Sequence, residues 1–223
     1  GSNGSISPLG TVNVNYGDGQ TFTITPNIGY HLDSLQVDGV KVDSSTSYTF
    51  NNVSTNHAIR VVFAADIPVV NAKIFLQAPF SSGAMNSALQ NVLPLSQPYS
   101  TAPWNYSGTE HVAVIPDSAV DWVLVELRTS TSPSTKVATR AAFLKQNGQI
   151  VDTSGLASLK FSSIAVGNYY VIIRHRNHIP VMSASAVSLT ATSNLYDFTT
   201  GTTKYFGNDA KLLSVGKYGM YAG

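Results

Sequence analysis

Residues 97–108 read Gln-Pro-Tyr-Ser-Thr-Ala-Pro-Trp-Asn-Tyr-Ser-Gly. Tyr99, Trp104 and Tyr106 thus fall in one stretch too rich in Pro and Ser for a regular strand. Flat aromatic rings stack on the apolar CH face of a pyranose by dispersion and ring electrostatics. Asn105 and Gln97, with Ser107, supply amides and a hydroxyl for the sugar's OH groups. The candidate ligand-binding set is therefore Trp104, Tyr106, Tyr99, Asn105 and Gln97. Trp104 is its main platform, because indole offers the largest flat apolar face. Neutral contacts of this kind predict an affinity that barely changes with salt. A competing reading packs Trp104 down as a plug over the open edge of a β-sandwich.

The densest polar cluster is Arg174-His175-Arg176-Asn177-His178. In a strand, Arg174 and Arg176 share one face, and Tyr169, Val171, Ile173 and His175 share the other. Two guanidiniums beside His175 and His178 would repel a cation, so no metal site is expected. The arginines are expected to pair with Glu126, Asp121 or Asp197, a task suited to their planar fork. Asp18, Asp33, Asp38 and Asp43 are scattered through turns, whereas calcium needs a concentrated set of oxygens.

Catalytic signatures are missing. No Gly-x-Ser-x-Gly, His-Glu-x-x-His, P-loop or Gly-x-Gly-x-x-Gly motif occurs. The two glutamates are Glu110 and Glu126. Glycoside hydrolysis needs two carboxyls flanking the scissile bond, and Glu110 with Asp117 or Asp121 leaves such a pair open. The reading adopted is a non-enzyme that uses no cofactor.

Apolar residues alternate and turn residues recur at short intervals, the pattern of an all-β chain. Strands are expected at Thr11–Tyr16, Gln20–Pro26, His31–Val37, Tyr48–Phe50 and Ala58–Phe63. A second series follows at Ala72–Ala78, Asp121–Arg128, Thr139–Leu144, Gly167–His175 and Ser185–Leu189. Asp38-Gly39 and Asn147-Gly148 are turn signals. In the strand Asp121–Arg128, Val123, Val125 and Leu127 face one way, and Trp122 and Leu124 the other. Apolarity on both faces marks a central strand, with Trp122 in the core. The long Ser81–Gly108 stretch is functional or mobile. Gly1–Ser5 reads as a flexible leader.

The chain has 223 residues, which at about 150 per domain suits two unequal domains or one large one. Ala64-Ala65-Asp66-Ile67-Pro68 looks like the linker. Before it, Asp18, Asp33, Asp38 and Asp43 outnumber Lys41 and Arg60; after it the balance is basic. The boundaries are therefore 6–65 for a small β module and 67–223 for a β-sandwich. Charged residues are 11% of the chain and the net charge is +1. That balance excludes a nucleic-acid face and an anionic membrane surface. No apolar run reaches transmembrane length. The absence of cysteine removes disulfides, thiolate metal sites and a thiol nucleophile.

Two resemblances stand on particular residues. Gly10-Thr-Val-Asn-Val, Tyr16-Gly, Gln20-Thr-Phe-Thr-Ile-Thr-Pro26, Gly29-Tyr30, Val37-Asp38-Gly39, Tyr48-Thr-Phe50 and Asn56-His57-Ala58-Ile59 resemble the divergent InlB B-repeat family over residues 6–64. The resemblance implies an extracellular β module of bacterial surface and secreted proteins, without catalytic residues. Val70–Pro79, Pro94–Tyr99, Pro103–Gly108, Val120–Arg128, Tyr169–His178 and Tyr196–Phe198 resemble a haemagglutinin-like C-terminal region of secreted bacterial proteins and hydrolases. That likeness spans 68–223 and implies attachment to a larger secreted protein. An Ig-like or transthyretin-like sandwich is expected from the likeness of Gln149–Gly155, Leu159–Phe161 and Gly167–Tyr170 to runs in those folds.

The expected function is a non-catalytic carbohydrate-binding module of a secreted bacterial polysaccharide-degrading enzyme. Its expected partners are a polysaccharide, cellulose or hemicellulose, and covalently linked catalytic or surface domains. Nucleic acid and membrane are not expected partners. The location is extracellular, secreted or at the cell surface. The alternative is a structural or adhesive spacer with no glycan ligand.

Overall fold

The computed structural model describes residues 3–223 and divides into two compact units, residues 1–66 and 67–223. Both are built of strands, joined by turns and short 3₁₀ segments.

In the first unit the strands are β1 (Gly4–Ser7), β2 (Gln20–Pro26), β3 (Tyr30–Val37), β4 (Val40–Val42), β5 (Ser47–Phe50) and β6 (Ile59–Ala65). They form two three-stranded antiparallel sheets, ordered β1-β2-β5 and β4-β3-β6. The β3–β4 turn is Asp38-Gly39, and both residues have positive φ, 51° and 82°. That is the two-residue geometry whose twist matches a hairpin. The Asp38 carboxylate then accepts bonds from the Ala58 amide and from His57 Nδ1, each at 2.7 Å. Among the described residues, Phe22, Ile24 and Leu35 are the buried apolar side chains of this unit.

Two expectations change here. Gly4 and Ser5 belong to β1 and pair with Pro26 and Thr25, so they are no leader; Gly1 and Ser2 lie outside the described residues. Gly4 lies against the Phe63 ring, where a Cβ would approach within 2.6 Å. Thr11–Asn15 keeps its alternation, with Val12 and Val14 half-buried, but joins no ladder. Period-two patterning fixes which side chains turn inward and says nothing of a hydrogen-bonding neighbour.

The strands of the second unit are β7 (Val69–Val70), β8 (Ala72–Lys73), β9 (Phe80–Ser81), β10 (Ala84–Met85), β11 (Ala119–Arg128), β12 (Lys136–Lys145) and β13 (Ile150–Val151). There follow β14 (Leu159–Lys160), β15 (Gly167–His175), β16 (His178–Met182), β17 (Val187–Leu189), β18 (Tyr196–Asp197), β19 (Lys211–Ser214) and β20 (Lys217–Gly219). The main sheet runs β13-β12-β11-β15-β16, with β17 beside the first part of β15. All ten residues of β11 are buried, as a strand covered on both faces requires. Asn147-Gly148 turns β12 into β13, with Gly148 at φ +87°.

The two faces are covered differently. Val123, Val125 and Leu127 enter one cluster with Val171, Ile173, Phe75, Phe161, Phe198 and Tyr205. Its cover includes the two-stranded pieces β7–β14, β8–β18 and β19–β20, so the second layer is ribbons, not one continuous sheet. The segment expected as a strand over Ala72–Ala78 pairs only at Ala72–Lys73. Beyond that it bonds separately, Ile74 to Gly148 and Phe75 and Gln77 to Met220. Trp122 and Leu124 enter a second cluster with Phe143, Tyr99, Leu93 and Val112. Its cover is the long 86–118 segment, which is irregular apart from one 3₁₀ turn at Gln90–Val92. Trp122 is fully buried, its ring centroid 3.9 Å from that of Phe143 at an interplanar angle of 35°, and it donates Nε1–H to the Pro94 carbonyl at 2.8 Å.

Candidate functional site

The face of β11 that carries Trp122 and Leu124 continues to Glu126 and Arg128. The 86–118 segment packs on the first pair, and the second pair, itself buried, lines the floor of a neighbouring groove. This is an open groove of about 720 Å³ in the second unit. Trp104, Asn105 and Tyr106 line it, with Glu126 and Arg128 of β11, Lys136 and Thr139 of β12, and Arg174, His175, Arg176 and His178 around the β15–β16 turn. The aromatic loop and the arginine–histidine cluster, separated by about seventy residues of chain, thus share one groove.

The expected ligand-binding residues divide into two groups. Trp104 is half-buried, its ring edge-to-face with Tyr99 at 5.4 Å. Asn105 is exposed with φ +46°, and Tyr106 is half-buried. These three line the groove. Tyr99 and Gln97 do not, and the expectation that they contact ligand is corrected. Tyr99 is fully buried and donates its hydroxyl to the Trp122 carbonyl at 2.7 Å. Gln97 is buried; its amide donates to the Gly108 carbonyl at 2.8 Å and accepts from the Tyr99 amide at 2.7 Å. Tyr99 holds the loop to the sheet, and Gln97 ties the loop to itself. A tyrosine in a Pro-rich loop packs down when its hydroxyl reaches a backbone acceptor.

The groove floor is an ion-pair network. Leu124 lies opposite Arg174 in the β11–β15 ladder, so Arg174 and Glu126 are diagonal neighbours on one face. Glu126 receives Arg128 Nε at 2.5 Å and Arg174 Nε at 3.0 Å. Arg176 Nη2 reaches both oxygens of Asp121, at 2.6 and 2.9 Å. His175 Nε2 is 3.1 Å from Asp121. Asp121 is pushed up by burial, but the His175 bond and charge and the Arg176 charge outweigh this and hold it below the usual carboxylate range. Arg176 lies just past the end of β15, in the turn to β16, so strand alternation does not bind it and it reaches the same carboxylate as His175.

The two histidines contact each other, Nδ1 to Nδ1 at 2.9 Å. The Asn177 amide also donates to His175 Nδ1, at 3.2 Å, and the Ala78 amide to His178 Nε2, at 3.4 Å. One tautomer set satisfies all of these: His178 donates from Nδ1, and His175 accepts at Nδ1 and donates from Nε2. Burial first, then His175, pushes the His178 imidazole down to about 4. On the loop side, the Tyr106 hydroxyl donates to Glu110 at 2.6 Å, and burial with that bond raises the phenol.

Arg128 and Lys136 carry no motif, and sequence reasoning passed over both. The signal for Arg128 was its place on the Trp122–Leu124–Glu126 face. Joining the two clusters needed the β11–β15 register, which the sequence does not carry.

No curated protein and no solved structure matches the chain, and the haemagglutinin-like likeness of residues 68–223 finds no support. The first unit is different: residues 1–67 match the family model of the divergent InlB B-repeat domain.

Proposed function

We propose that residues 67–223 are a non-catalytic polysaccharide-binding module of a secreted or surface-borne bacterial protein. The observation that carries the reading is Trp104, Asn105 and Tyr106 lining one open groove in the second unit. Polysaccharide sites are open because the chain must pass through them, and an aromatic wall with amide and guanidinium donors suits a sugar. A β-glycan of the cellulose or hemicellulose type lies along the groove on Trp104. The first unit acts as a spacer that presents this module within a longer protein, a role favoured by the repeat-family match of residues 1–67.

The test is a pull-down on insoluble cellulose, xylan, chitin and mannan. Wild-type chain and Trp104→Ala are compared, and each is first checked by thermal melt. Stacking on one ring contributes roughly 0.5–1.5 kcal/mol beyond area burial. Trp104→Ala should therefore weaken retention by about two- to twelvefold. Retention equal to wild type in a folded variant would move the site away from this groove.

A further inference from the structure

We infer that the groove takes an acidic saccharide, its anionic group bound by Arg174 and Arg176 while a neutral ring lies on Trp104. The inference rests on the polysaccharide-binding reading and names the substrate class within it. The chain is nearly neutral at +1 and only 11% charged. Yet Arg128, Arg174, Arg176 and Lys136 all line this one groove. Facing these four cations are two carboxylates, Glu126 in the lining and Asp121 bound to Arg176. Counting only the arginine, lysine and carboxylate side chains, the site carries an excess of two positive charges.

The arginines also keep donors in reserve. Arg174 spends Nε on Glu126 and no other donor of its side chain on protein. Arg176 spends Nη2 on Asp121, and its Nε is buried without a partner. Their side chains are 28% and 30% exposed, so both heads reach solvent in the groove. Glu126 holds Arg174 by Nε and leaves its two Nη groups without a protein partner, while Asp121 holds Arg176 by Nη2 and leaves Nη1. A planar fork of that kind matches a carboxylate or sulfate through two parallel bonds. A neutral glycan would leave this charge uncompensated. An anionic group beside a stacked ring satisfies both halves of the site.

The salt-insensitive binding read from the aromatic loop alone then no longer holds. Binding of glucuronoxylan by the 223-residue chain is measured beside its carboxyl-reduced form, and dextran sulfate beside dextran. The carboxylated or the sulfated member of its pair should bind about tenfold tighter or more, and that preference should fade as salt rises. The pair that shows the preference identifies the anionic group. Arg174→Gln should abolish the preference for the acidic form. Should Arg174→Gln fold poorly, Lys136→Ala, an exposed position on the lip, should reduce the preference without a stability change. Equal binding of acidic and neutral forms, with Trp104→Ala still weakening both, would overturn the acidic-saccharide inference alone. Failure of every polymer to bind, or indifference to Trp104→Ala, would overturn the polysaccharide reading as well. Tighter binding of single-stranded oligothymidylate than of any glycan would assign the groove to a different class of ligand.

Discussion

His178 sits at the end of a hydrogen-bond chain that has no place for a further proton. Its Nε2 accepts from the Ala78 amide, and its Nδ1 faces His175, which in turn contacts Asp121. Protonating Nε2 would set a donor against a donor. The folded imidazole titrates at about 4, against an ordinary value of 6.5. Between these values the unfolded chain binds the proton that the folded chain refuses. The neutral-state contribution is therefore complete above pH 6.5, is lost as pH falls through this window, and is gone below about 4. Screening reduces the nominal shift to roughly 1–2 kcal/mol. Melts at pH 7.5 and pH 4.5 should show a loss in wild type and a smaller loss in His178→Gln, which cannot take the proton. Asp121 does not confuse this range, because its depressed carboxyl stays ionised to lower pH. Equal losses in both proteins would assign the acid sensitivity elsewhere. At this scale residue type was informative and geometry was not. That arginines would pair with Glu126 and Asp121 followed from their charge. That Tyr99 would pack down while Trp104 stayed at the groove followed from nothing in the sequence, since both are aromatics in the same irregular loop.

The strands that could be read were those whose two faces differ clearly and whose ends carry turn residues. Gln20–Pro26 and Gly167–His175 have the bounds their patterns indicated. Asp121–Arg128 extends by two residues to Ala119 and is central, as its two apolar faces required. Ala72–Ala78 has the same composition but contacts several partners in turn, and no local pattern encodes that. At the element scale, β11 and β15 are tied across one face by Glu126, which is shared between Arg128 and Arg174. Glu126 and Arg128 side chains are each only 8% exposed. Removing the carboxylate alone leaves a buried guanidinium unpaired, at a cost of roughly 3–5 kcal/mol. Glu126→Gln should therefore lower the melting temperature by about 10 °C for a unit of this size. The double variant Glu126→Leu, Arg128→Met removes both of these buried charges, leaves without its partner only Arg174, which at 28% exposure reaches solvent, and should recover most of that loss, because an apolar replacement of a buried pair is often neutral. If the double variant is as unstable as the two single changes summed, the pair contributes net stability of its own and the desolvation argument fails.

For the whole molecule, the decisive quantity is how much apolar surface each unit can hide. The buried apolar residues of the first unit, among those described, are Phe22, Ile24 and Leu35, and most of its other inward residues are only half-buried. Tyr16 and Ile28 are 86% and 100% exposed. The second unit encloses two clusters on opposite faces of one sheet, with Trp122, Phe75, Phe143, Phe161 and Phe198 all fully buried. A domain of about sixty residues buries a smaller share of its surface than one of about one hundred and fifty, and is correspondingly marginal. Neither unit has a disulfide to offset this. Residues 67–223 expressed alone should fold and melt in a single cooperative transition. Residues 1–66 alone should melt at a lower temperature or show no transition. The measurement is a thermal melt of each piece beside the full chain, followed by circular dichroism. The full chain should show the second unit's transition at the temperature of the isolated piece, since its two clusters are complete without the first. A first unit that melts above the second would mean that its two small sheets hold more net stability than three buried apolar side chains supply. The surplus would then have to come from the polar ties, of which the Asp38 bonds to Ala58 and His57 are the first to remove.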